Sequence, residues 1–142
     1  MKHAITVLMS FLYLASPTTF AAKWVPIFKS DEPNYTLYFD EASLVKKGEI
    51  YKAWFMFDFA IPQLTADKQK KYQSVTELDY FNCAEMTKAS VQQHLYPKKR
   101  GNGQPVMEFT VKDADLFYVD IIAGTPGEHK FNRICGDKPE SK

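Results

Sequence analysis

Ile50-Tyr51-Lys52-Ala53-Trp54-Phe55-Met56-Phe57-Asp58-Phe59-Ala60 is the stretch on which the fold turns. In an extended chain Tyr51, Ala53, Phe55, Phe57 and Phe59 share one side, and Trp54 and Met56 share the other, between Lys52 and Asp58. A period of two, aromatic content and no Gly or Pro specify β-structure. Apolar side chains on both faces at its middle place this strand inside a sheet that is covered on each side.

Flanking segments extend the pattern. Upstream, Tyr35 to Asp40 alternates cleanly, with Tyr35, Leu37 and Phe39 on one face. Lys23 to Lys29 is a first strand whose Pro26 confines it to an edge or forces a bulge. Ser30 to Asn34 is a turn by composition, and Lys46-Lys47-Gly48-Glu49 turns the chain into the central strand. Downstream, the polar, Lys-rich stretch Gln63 to Gln73 reads as a long, exposed, mobile connection. Ser74 to Cys83 resumes strand character, bringing Leu78, Tyr80, Phe81 and Cys83 into the body. Ala84 to Tyr96 is open between helix and strand on propensity. Pro97 to Pro105 is a turn in which Asn102-Gly103 suits a tight hairpin, and Val106 to Val111 and Leu116 to Ile122 are further strands.

Thr125-Pro126-Gly127-Glu128 carries a Thr N-cap, Pro at N1 and Glu at N3, the pattern of a capping box. The helix it opens aligns Phe131, Ile134 and Cys135 on one face, and Gly136 ends it. The expected fold is α+β and mainly antiparallel: a single sheet of about six strands with a short C-terminal helix.

The chain has 142 residues, enough for one domain with a real core. Met1-Lys2-His3, the apolar run Ala4 to Ala15, the break at Ser16-Pro17 and the small residues around Thr19-Phe20-Ala21 make residues 1–21 a secretory signal peptide. The run is shorter than the roughly 20 residues a bilayer span requires. No Cys follows it, which argues against a lipid anchor. Residues 22–136 then form the domain and residues 137–142 a polar tail. Of 18 basic residues only Lys2 leaves with the leader, so 17 remain against 17 acidic. A neutral balance argues against general nucleic-acid binding.

Cys83 and Cys135 are the only cysteines, with 51 residues between them. In an exported chain such a pair forms one disulfide, which would pin the helix to the sheet. The rival, a catalytic Cys83 served by His94, lacks a third group to orient the base. There is no Gly-x-Ser-x-Gly elbow, phosphate-binding Gly loop or His/Cys metal spacing. His94 and Met86 are each chemically able to ligate haem iron. Asp113 and Asp115 read as turn residues rather than paired acids. Of 21 aromatic residues, Phe11, Tyr13 and Phe20 leave with the leader, and the 18 that remain are rich for one small core. The candidate binding residues are therefore Trp54 and Met56 on the second face, as a groove if nothing covers them, and the basic run Lys98-Lys99-Arg100.

The order of motifs resembles a known family. Trp24-Val25 follows the leader, then Tyr38-Phe39-Asp40 with Ser43-Leu44, the aromatic strand with Trp54, Asn82-Cys83, and Ala123-Gly124-Thr125-Pro126-Gly127-Glu128 leading to Ile134-Cys135. Over residues 23–136 this resembles the bacterial surface-adhesin protein E family, with Asn82 and Phe117 standing where that family often has Asp and Trp. The resemblance implies an antiparallel sheet with a disulfide-fastened helix, and it tips Ala84 to Tyr96 towards strand. It implies an exported protein of the periplasm or cell surface of a Gram-negative bacterium that adheres to host matrix and plasma proteins. Haem binding by a homodimer is its secondary implication. The partner expected is a protein or glycan, with no enzymatic activity, no metal and no cofactor required.

Overall fold

The computed structural model describes residues 21–136. The tail at 137–142 lies outside the described residues, as does the leader read at 1–21 except for its last residue. The path is β1 (Trp24–Asp31), β2 (Asn34–Asp40), β3 (Val45–Lys47), β4 (Ile50–Leu64), β5 (Lys71–Asn82), β6 (Thr87–Tyr96), β7 (Met107–Thr110), β8 (Val119–Asp120) and α1 (Pro126–Cys135). All strands join one antiparallel sheet in the order β1-β2-β4-β5-β6-β7. Two short strands complete it: β3 shares the edge of β4 with β2, and β8 shares the edge of β6 with β7. The central strand is where its patterning put it. Ala84 to Tyr96 resolves as a turn and a strand.

One face is the core. Leu37, Phe39, Ala53, Phe55, Phe81 and Phe131 are buried together, and Phe55 meets Phe81 edge-on with ring centroids 5.8 Å apart. Helix α1 lies across this face. Phe131 inserts into the cluster, Ile134 and Cys135 pack beside it, and the ring of His129 stacks on Phe28 at 3.7 Å. Cys135 is bonded to Cys83 with Cα atoms 5.5 Å apart, so the helix is tied to the end of β5 and neither thiol is free. At the N-terminus of α1 the capping box is offset. Thr125 Oγ1 donates to Ile122 O, and Glu128 accepts from the amide of Gly124 rather than that of Thr125. The helix ends at Gly136, whose φ of 79° few other residues adopt and whose amide bonds Asn132 O.

Four expectations change. Gln63 to Gln73 is no long loop: Gln63 pairs with Tyr72 and Leu64 with Lys71, leaving only residues 65–70 as the connection. Ladder pairing uses the backbone, so polar composition did not prevent it. Pro62 falls in the irregular stretch where the register shifts, and Gln73 Nε2 donates to the carbonyls of Phe59 and Ala60 there. Asn102-Gly103 does not make a tight hairpin; β6 and β7 are joined by a ten-residue arch with a 3-10 turn at Lys99–Gly101. Leu116 to Ile122 is not a continuous strand. β7 occupies the outer edge of β6 at Gln92 to Leu95, so only Val119–Asp120 finds a partner, and Phe117 stays 79% exposed. Finally, Lys46 and Lys47 belong to β3, and the turn itself is Gly48-Glu49. Pro26 confirms its reading: β1 is an edge strand, and its register slips between Pro26 and Phe28.

Candidate functional site on the outer face

The face opposite the helix carries Lys52, Trp54, Met56 and Asp58 from β4. Tyr38, Met56, Thr76, His94 and Glu108 form one row across five strands. The arch between β6 and β7 folds back onto this row. Arg100 places its guanidinium 4.5 Å from the ring centroid of Tyr38, and Gly101 lies against Thr76 and Tyr96. The arch therefore passes over Met56, which stands between Tyr38 and Thr76 and is fully buried. A groove lined by both Trp54 and Met56 does not form. Trp54 remains half-buried, its ring 5.6 Å from that of His94.

Three hydrogen bonds hold the arch. Ser74, wholly buried, donates through Oγ to Lys98 O at 2.6 Å and accepts the amide of Gly101 at 2.9 Å. Asp58 Oδ1 accepts the amide of Arg100 at 2.9 Å. Arg100 has φ of 60°, a left-handed conformation that these backbone bonds and the Tyr38 contact compensate. Lys98, Lys99 and Arg100 are exposed, and none of them forms an ion pair among the described residues. The two groups singled out in sequence, Lys98 to Arg100 and the Trp54 face, thus meet on one surface. Ser74→Ala removes two of the three ties and should cost about 1–3 kcal/mol, since it leaves the part-buried Lys98 carbonyl and Gly101 amide without these partners. Urea unfolding would measure the loss, and faster exchange at the Gly101 amide would accompany it. Unchanged exchange there would show that Ser74 does not hold the arch.

Towards the other end of this face, Ile50, Lys52, Tyr80, Asp113, Leu116 and Tyr118 line a recess of about 240 Å³. Lys52 Nζ donates to the Tyr80 hydroxyl at 3.0 Å, and that bond raises the pKa of Lys52. Asp113 and Asp115 sit in a 3-10 turn beside it, as turn residues. Met86 is in the β5–β6 turn and His94 is eight residues further on, roughly 25 Å along an extended strand, so they cannot be opposite axial ligands of one haem within a single chain.

The inner face holds a cluster that sequence reasoning missed. Lys130 is buried, its ammonium bonded to Glu77 and, at 2.7 Å, to Asp79 Oδ2. Ser90 Oγ donates to Asp79 Oδ1 at 2.7 Å, and Lys88 stands 3.7 Å from the same oxygen. The rings of Phe55 and Phe57 lie 5.1 and 4.9 Å from the ammonium. Burial works against both charged forms, but the opposite charges outweigh it: the pKa of Lys130 is raised and that of Asp79 is lowered. A signal for this cluster was present. Val75, Glu77, Asp79 and Phe81 share one strand face, and two acids on a buried face demand a cation.

These features define a small disulfide-clamped sheet protein with one face closed by a helix and the other presenting charge and aromatic surface. The chain belongs to the surface-adhesin protein E family, whose model matches residues 24–136. Among solved structures it is similar to the crystal structure of protein E from non-typeable Haemophilus influenzae, at 18% identity over 87% of this chain and 82% of that one, with a TM-score of 0.55. A second crystal form of Haemophilus influenzae protein E gives 17% identity over 87% and 95% of the two chains, with a TM-score of 0.57. At such identity the likeness is one of fold. No curated protein matches the chain. Among the described residues no helix is long and apolar enough to cross a membrane.

Proposed function

We propose that this chain is an exported, non-enzymatic binding protein of the bacterial cell envelope, an adhesin that contacts a host protein or glycan through its outer face. Family membership supports the class. The observation that carries the site is the basic arch, whose backbone is fixed by Ser74 and Asp58, with Lys98 and Lys99 exposed and Arg100 lying over Tyr38 on the face that holds Trp54 and His94. A loop ordered before it binds loses less conformational entropy when a partner arrives. Exposed cations steer an acidic partner and make the contact salt-dependent.

The test is adhesion of the purified, fluorescently labelled domain to immobilised basement-membrane extract and to epithelial cell layers. Binding should fall as NaCl is raised from about 50 to 300 mM, as expected for contacts that ions screen. K98S/K99S/R100S should lose most of the salt-sensitive part while still unfolding cooperatively, its melting temperature lowered only by the lost Arg100–Tyr38 contact. A variant that binds like the parent would remove the arch from the contact, and a parent that adheres to neither surface would remove the adhesin reading.

A further inference from the structure

The corrected hairpin brings a second cationic loop beside the arch. β5 and β6 pair with Ser74 opposite Tyr96, so the β4–β5 connection and the β6–β7 arch emerge at the same end of the sheet. Lys70 Nζ joins them by donating to Val106 O at 2.8 Å. Residues 64–71 and 97–106 together carry Lys68, Lys70, Lys71, Lys98, Lys99 and Arg100 against a single acid, Asp67. All six cations are exposed and none forms an ion pair among the described residues. Asp67 is exposed and caps its own loop, accepting from Thr65 Oγ1 at 2.5 Å and from the Gln69 amide at 3.0 Å. Thr65 is buried and closes the loop through bonds to Lys68 and to Lys70. Both loops are therefore built in advance.

The opposite end differs. Where Ile50 pairs with Asn82, Lys46, Lys47, Lys52, Lys88 and Lys112 stand among Glu49, Glu85, Asp113, Asp115 and Asp120, so the two signs balance there. A neutral domain with six cations and one acid on two fixed loops at one end presents a local positive field, which suits an extended polyanion.

We infer that this end of the sheet binds a sulfated polysaccharide, with the 64–71 and 97–106 loops acting as one site. The inference rests on the adhesin reading and names the partner's chemistry. Five of the six cations are Lys, compact point charges that respond to charge density rather than to one planar geometry, and a sulfated polysaccharide carries more charge per sugar than a chain with carboxylates alone. The spread of charge over two loops fits a chain with many anionic groups rather than one small anion. Tyr38 beneath Arg100, with Trp54 and His94 beyond, supplies flat surface alongside.

The experiment measures binding of the purified domain to heparin, to chemically desulfated heparin and to poly-glutamate, each over a range of NaCl. The variants are K68N/K71S and K98S/K99S/R100S; Lys70 is kept because it ties the loops together, and Asn suits the left-handed φ of 58° at Lys68. Heparin should bind in a salt-dependent way, with little binding to the other two polymers. Each variant should weaken it by about tenfold or more and flatten the salt dependence, as fewer counterions are released. Heparin binding by K68N/K71S equal to that of the parent would overturn the two-loop site. Equal binding of desulfated heparin or poly-glutamate would overturn the sulfate assignment. If neither variant alters heparin binding while K98S/K99S/R100S still loses adhesion to cells, the polysaccharide site falls and the outer-face adhesin reading stands.

Discussion

Lys130→Met should destabilise the protein by about 3–5 kcal/mol and give it a gain in stability on mild acidification that the cluster in the parent lacks, because it removes the cation from a buried ion cluster. The loss arises from what remains. Asp79 is wholly buried, and in the variant its only nearby cation is Lys88 at 3.7 Å, itself partly in water. Breaking one side of a buried pair leaves an uncompensated charge, which costs more than the pair gains. In the parent the folded pKa of Asp79 lies below its ordinary 3.8 and that of Lys130 above its ordinary 10.5. A lowered acid stabilises above its unfolded pKa and loses that contribution as pH falls through the folded one. A raised base stabilises below its unfolded pKa and loses that contribution as pH rises through the folded one. The cluster's contribution in the parent is thus flat between about pH 4 and 10. In the variant, burial without the cation pushes the Asp79 carboxyl up, so folding takes up a proton and acidification from pH 7 to 5 should raise stability. Urea melts of parent and variant across that range read both effects. K130M/E77Q/D79N, which removes the charges together, should recover much of the loss. A loss under 1 kcal/mol, or a variant that weakens steadily from pH 7 to 5, would show that the cluster is not what holds α1 down.

The second large effect belongs to the disulfide. C83S/C135S releases a bond that spans 52 residues of sequence, a constraint on the unfolded chain of about 4 kcal/mol in the chain-entropy account. For a domain of this size that corresponds to a fall in melting temperature of about 15–20 °C. The loss should be uneven. Helix α1 is the terminal element, tied to the sheet by this bond, by Phe131 and by Lys130, so its amides should lose protection before those of β4 and β5. Hydrogen exchange on the serine variant separates the two regions. Equal loss of protection across helix and sheet would show that the bond stabilises the fold globally rather than anchoring the helix.

The parts of the molecule legible in sequence are those written in local periodicity and composition. Alternation in Ile50 to Ala60 and in Tyr35 to Asp40 marked strands and their buried faces, and Thr125-Pro126 and Gly136 marked the ends of α1. Two cysteines in a chain read as exported marked a disulfide. Misreadings came where side-chain character and backbone pairing part company. Gln63 to Gln73 is polar yet joins the ladder, and Leu116 to Ile122 is apolar yet finds almost no free edge.

By itself, then, the sequence determined β1, β2, the middle of β4 with its orientation, the later part of β5 and the bond that fastens the helix, because each follows from residues near one another in the chain or from a count of two. Tertiary structure alone decided the site. Whether Met56 is open depends on the course of an arch that begins more than 40 residues later, held by Ser74 and Asp58. Whether Lys68 to Lys71 joins Lys98 to Arg100 depends on the register of β4, β5 and β6. That Lys130 is a buried ion rather than a surface lysine depends on where α1 crosses β5. Fields and burial act through space, and only the folded path sets which distant groups come within their reach.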